Sequence, residues 1–210
     1  MSQKKKTTKP RRSNQNKASR LHQRFFRRSA AFFGIIVMLL AFYLQALGDE
    51  ENLVRNRWSI ALAYLAARCR DQGDAANAIV TFRKALEIKP DDATTLLNLG
   101  MTYNSAGDLE NAMACYQQAA NRAPDNAMIF VNWGIALRRK GDANGAIEKY
   151  QKALAINPHL ALAHFNLGNV YYESDDFTQA IPAYEKAAGL DPSLSVAHFS
   201  LARAYIKSQE

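Results

Sequence analysis

Apolar side chains recur at helical intervals twice within residues 93–126. Leu96, Leu99, Met101 and Tyr103 mark the buried stripe of one amphipathic helix. Leu109–Arg122 reads as a second. Between them stands Gly107-Asp108. Gly107 can enter the left-handed conformation that stops the first helix, and the Asp108 carboxylate can accept the unpaired amide hydrogens that open the second. Pro124 prevents the second helix from continuing. The pattern predicts a helix–turn–helix unit with no catalytic group in it.

The unit is repeated. Pro90, Pro124, Pro158 and Pro192 are spaced by 34 residues. The same period holds for Gly73, Gly107 and Gly141, for Gly100, Gly134 and Gly168, and for Phe82, Tyr116, Tyr150 and Tyr184. It also holds for Ala78, Ala112, Ala146 and Ala180, and for Ala85, Ala119, Ala153 and Ala187. Several registers sharing one interval imply a solenoid of stacked units. Small residues such as Gly100 and Ala112 predict close approach of the paired helices, with Tyr116 filling the layer toward the next unit. In the fourth unit Asp175 stands where the others have the stopping glycine; aspartate tolerates that conformation better than most residues. Pro182 predicts a local bend.

These motifs, and "FNLGNVYYESDDFTQAIPAYEKAAGLDP" (165–192) in particular, resemble the tetratricopeptide repeat (TPR). The resemblance covers 59–210 and implies an all-α, right-handed TPR superhelix. Its repeats are 59–92, 93–126, 127–160 and 161–194, closed by a capping helix at 195–207. On that helix His198, Leu201, Ala202 and Tyr205 are expected to cover Ile181, Tyr184 and Ala188, leaving Ser200, Arg203 and Lys207 to water. The first unit departs most, with Ala66 and Cys69 where later units have glycine and, in most cases, tyrosine.

Charge changes the picture at one end only. Residues 1–28 hold eleven Lys or Arg and no acid, whereas the rest carries 16 basic and 19 acidic side chains, so the net +8 belongs to the tail. Such a segment cannot bury a core and is expected to be disordered. Residues 29–48 follow without a charge. Twenty helical residues span about 30 Å, the thickness of a hydrocarbon core. Arg27 and Arg28 flank this transmembrane helix on one side, and Asp49, Glu50 and Glu51 on the other. The positive-inside bias places 1–28 in the cytoplasm. Residues 49–58 read as a linker and the repeats lie across the membrane. In a bacterium the chain is then a single-pass inner-membrane protein with a periplasmic TPR domain. Cleavage as a signal peptide after Ala46-Leu47-Gly48 stays open, although the apolar run is longer than usual. A mitochondrial presequence also stays open, although Lys4-Lys5-Lys6 fits it poorly. Anionic lipid is a possible partner of the tail, and no nucleic acid is expected.

No enzyme is expected, and no cofactor or metal. His164 and His198 share a register held earlier by Leu96 and Phe130, and no acid or cysteine stands at ligand spacing to them. Cys69 and Cys115 have no spacing that asks for a disulfide.

Binding remains. Asn98, Asn132 and Asn166 share the register that, in the proteins this chain resembles, lines the concave groove. A carboxamide both donates to and accepts from a peptide backbone, so one per repeat makes a candidate ladder for an extended segment. Leu97, Met101, Val131, Ile135 and Phe165 are expected to add apolar groove surface, and Arg138, Arg139, Asn169 and Arg203 polar contacts. The lysines of a carboxylate clamp are replaced by Leu97, Val131 and Phe165. The expected function is a membrane-anchored protein–protein interaction adaptor that holds a partner segment in its concave groove, in the assembly or quality control of envelope complexes. The alternatives are a self-assembling scaffold, of the kind that coats magnetosomes, and an accessory subunit of an envelope enzyme complex. A homo-oligomer is possible in either case.

Overall fold

The computed structural model describes residues 48 and 50–209. The chain divides into two compact units, Met1–Val54 and Arg55–Glu210. Of the first, Gly48 and residues 50–54 are described, and they are helical. The basic tail lies outside the described residues, as does the predicted span apart from Gly48. Among the described residues no helix is long and apolar enough to cross a membrane. Of the segment read as a linker, residues 50–58 are helical, since neither glycine nor proline interrupts them.

The described residues contain nine helices and no strand. After α1, residues 50–71, come α2 (Ala75–Ile88), α3 (Ala93–Ser105), α4 (Leu109–Arg122), α5 (Ala127–Lys140) and α6 (Ala143–Ile156). They are followed by α7 (Ala161–Glu173), α8 (Phe177–Leu190) and α9 (Ser195–Lys207). Each helix from α2 onward packs on the next, giving an all-helical solenoid of TPR type.

The turns form for the reasons the sequence supplies. Gly73, Gly107 and Gly141 have φ of 82°, 84° and 88°, and Asp175 takes their place at φ 57°. The aspartate after each stop caps the following helix: Asp74, Asp108, Asp142 and Asp176 accept from the amides of Asn77, Asn111, Gly145 and Gln179. Pro182 lies inside α8, which is assigned as one helix from Phe177 to Leu190.

The glycine register is a contact register. A Cβ on Gly100, Gly134 or Gly168 would lie 2.6, 2.5 or 2.8 Å from ring carbons of Tyr116, Tyr150 or Tyr184. Each tyrosine therefore lies across the glycine of its own unit, not only in the layer toward the next unit. The alanines of α2, α4, α6 and α8 at 78, 112, 146 and 180 are fully buried.

The capping helix differs from expectation. Ala197 and Ala204 are its buried residues, with Leu201 packed beside Tyr184 and Ile181. His198, Ala202 and Tyr205 are exposed. A helix turns 3.6 residues per turn, and the face centred on 197, 201 and 204 is the one turned to α8. Its far side carries Val196, Phe199 and Ile206, 53%, 65% and 64% exposed, so it is not a polar cap.

Candidate peptide-binding groove

Helix order makes the groove. The first helices of successive units touch one another: α3 with α5, α5 with α7, and α7 with α9. No two second helices do so among the described residues. The first helices therefore form the tighter, inner layer of the stack, and the candidate residues all sit on them.

The asparagines are not equivalent. Arg70 Nη1 donates to Asn98 Oδ1 at 2.8 Å, which leaves the Asn98 amide hydrogens. Asn132 and Asn166 instead donate Nδ2 to the carbonyls of Met128 and Leu162, both at 2.8 Å, and keep Oδ1. Asn166 is only 5% exposed. The three rungs of the candidate ladder are not equally open: Asn98 and Asn132 are half-buried, and Asn166 is covered. The expectation for Val131 is corrected, since it is fully buried in the core and offers no groove surface. Leu97, Met101 and Ile135 are half-buried against that core. Phe165 is half-buried, its ring 5.9 Å from that of Tyr184. Arg139 spans units, donating to the Asn104 carbonyl and to its Oδ1.

The polar candidates converge. Arg138, Asn169 and Arg203, from α5, α7 and α9, line one recess of ≈ 220 Å³ together with Tyr172, Glu173, Tyr184 and Ser200. Arg138 Nη1 pairs with Glu173 Oε1. Its Nε is buried with no acceptor in bonding geometry, although the side chain lies near enough to the Tyr150 hydroxyl to oppose the burial that pushes that phenol up to about 12. The Tyr184 hydroxyl donates to Asn169 Oδ1 at 2.8 Å. Burial pushes Tyr184 up to about 12 as well, against the nearby Arg203. Arg203 stacks on Tyr172, Cζ 4.8 Å from the ring centroid, and Nη2 donates to the Tyr172 hydroxyl at 3.2 Å.

Other candidate chemistry is structural. His164 and His198 place Nε2 3.0 and 3.3 Å from the carbonyls of Pro158 and Pro192, tying each helix to the turn before it. Cys69 and Cys115 are free thiols. Burial raises Cys115 to about 11, which keeps it protonated and unreactive. Among the described residues no group of three or more His, Cys, Asp or Glu could hold a metal.

Models of the TPR repeat match residues 134–175, and models of the tetratricopeptide repeat match 70–129 and 161–194. A crystal structure of MamA is 30% identical, covering 68% of this chain and 83% of its own, with a TM-score of 0.61. The chain belongs to the tetratricopeptide repeat family. A second MamA crystal structure is 28% identical over 72% of this TPR chain and 83% of that one, at a TM-score of 0.63. PilF of Pseudomonas aeruginosa, 24% identical over 74% and 71%, shares the fold at a TM-score of 0.68. The comparison with curated proteins returns no match.

Reasoning from the TPR ladder missed Arg70, Tyr172, Glu173, Tyr184 and Ser200 as groove residues. A signal was present in the period. Arg138 and Tyr172 are 34 apart, as are Asn169 and Arg203. Side chains in two registers on neighbouring first helices can meet, and these four line the one recess.

Proposed function

We propose that this TPR protein is an adaptor that holds an extended segment of a partner protein along its first helices. In this reading residues 29–48 anchor it to a membrane, with the repeats on the side opposite the basic tail, and its work is the assembly or quality control of envelope complexes. The observation that carries it is the inner layer of first helices. There Asn98 keeps its amide donors and Asn132 its carbonyl acceptor, the two halves of a backbone-binding contact. Half-buried Leu97, Met101 and Ile135 lie alongside. Photo-crosslinking residues placed at Leu97 and Ile135 in cells should give adducts with a partner, and residues placed at Lys84 and Glu148 on second helices should not. Adducts only from the second helices would sink the groove reading.

A second reading is a self-assembling scaffold. It is favoured by Val196, Phe199 and Ile206, which face water where a following helix would pack in a longer stack. Light scattering of the purified full chain at tens of micromolar separates the two: a monomer in its detergent micelle sinks the scaffold.

A further inference from the structure

Arg203 is an unusual cation for a solenoid surface. No carboxylate among the described residues pairs with it. Its guanidinium carbon instead lies 4.8 Å from the ring centroid of Tyr172 and 5.9 Å from that of Phe199, with one hydrogen bond from Nη2 to the Tyr172 hydroxyl. A guanidinium fixed by stacking keeps most of its N–H donors available, and little rotamer freedom is left to lose when an anion arrives. Two further donor side chains line the same recess: Asn169, whose Oδ1 is occupied by the Tyr184 hydroxyl and whose Nδ2 remains to donate, and Arg138, which is paired through Nη1 with Glu173. Two arginines against the single carboxylate of Glu173 leave the recess one positive charge in excess. That balance suits a monoanion and under-compensates a dianion. The volume of ≈ 220 Å³ admits a carboxylate and its stem.

We propose that the recess between α5, α7 and α9 binds a carboxylate of the segment held in the groove, with Arg203 as its principal receiver and Arg138 and Asn169 beside it. The inference rests on the groove reading and adds to it the chemistry of one anchor residue: an acidic side chain, or a free chain terminus, at a fixed place in the partner segment. Glu173 sets the charge, because its pairing with Arg138 holds the site at a single net positive.

The test uses the purified full chain in mild detergent and short random peptides displayed on phage, followed by titration of the synthetic peptides that are enriched. Those peptides should carry Asp or Glu, or a free C-terminus, at one position; amidating the terminus distinguishes the two sources. Replacing that Glu by Gln in the peptide should weaken binding about tenfold to a hundredfold, the effect of one charge-assisted hydrogen-bonded contact. Arg203→Gln in the protein should lose the same factor for the acidic peptide and nothing for its Gln version. Glu173→Gln, which frees Arg138, should strengthen the acidic peptide, and this gain protects the test should Arg203→Gln fold poorly. Asn132→Ala should weaken both peptides alike. Enriched peptides that respond to Asn132→Ala but show no fixed carboxylate overturn this inference and leave the groove reading standing. No enrichment, or enriched peptides indifferent to Asn132→Ala, overturns both.

Discussion

Tyr116 and Tyr184 occupy one register and lie on equivalent glycines, yet their hydroxyls fare differently. Tyr184 donates to Asn169. Tyr116 is fully buried and its hydroxyl has no partner among the described residues; the position one repeat before Ile135 and two before Asn169 is Met101. Burial accordingly raises the Tyr116 phenol well above its ordinary value. A buried hydroxyl without a partner stabilises nothing, whereas one that is bonded contributes about 0.5–1.5 kcal/mol. Urea unfolding should show Tyr184→Phe losing about that much and Tyr116→Phe losing less than about 0.5 kcal/mol. Equal losses would mean that the two hydroxyls are equally satisfied in solution. The same register logic explains the histidines. The helices α3 and α5 open on Asp92 and Asn126, which cap them. In contrast, α7 and α9 open on Leu160 and Leu194 with no side-chain cap, and these are the two helices in which a histidine reaches back to the proline carbonyl.

The helices owe their ends to single residues. Asp175 holds φ 57°, a conformation that disfavours a residue with a Cβ by roughly 1–2 kcal/mol. Asp175→Gly should therefore raise the stability of the fourth unit by about 1 kcal/mol after the extra freedom of glycine in the unfolded chain is offset. A lower midpoint in urea would show that the aspartate makes a contact worth more than its strain. The caps add a pH dependence. Hydrogen bonds from the Asn77 side chain and amide hold Asp74 below the usual carboxylate range, and bonds from Thr178 and Gln179 do the same for Asp176. Because their folded values are depressed, their stabilisation is complete above the unfolded value of about 3.9 and fades as pH falls through the lower folded value. Melting followed from pH 6 to acid should decline more shallowly below about pH 4 in the Asp74→Asn, Asp176→Asn variant than in the parent. Parallel curves would assign the acid loss to other carboxylates.

At the scale of the whole molecule the proposed orientation rests on the charge asymmetry around 29–48. Eleven basic residues before that stretch and three acids immediately after it favour a cytoplasmic N-terminus. Protease added to intact spheroplasts should degrade residues 55–210 and spare an epitope placed at the N-terminus. Protection of the solenoid would reverse the orientation and move the search for partners to the cytoplasm. Either way the stack is asymmetric along its length. Its inner layer ends in the arginine recess, and its last helix turns Val196, Phe199 and Ile206 outward.

Period, turns and helix pairing were legible in the sequence, since each depends on local chemistry repeated at a fixed interval: a glycine or aspartate that accepts φ above zero, a carboxylate three residues before an amide, an alanine where helices close. Even Asp175 could be read there, because its conformation is set by its own backbone. The groove was legible only in part. Asn98 and Asn166 share a register, and sequence treats them alike; the structure covers Asn166 and gives Asn98 to Arg70. Val131 belongs to the core for the same reason: burial depends on how neighbouring units lean on a position, which no single register states. The buried face of α9 was missed because among the described residues α9 packs on α8 and α7, and its rotation follows that contact. The arginine recess was legible as a set of polar groove residues, but their convergence was decided by tertiary structure. Arg138, Asn169 and Arg203 belong to three successive repeats, and only the close packing of α5, α7 and α9 brings them into one volume.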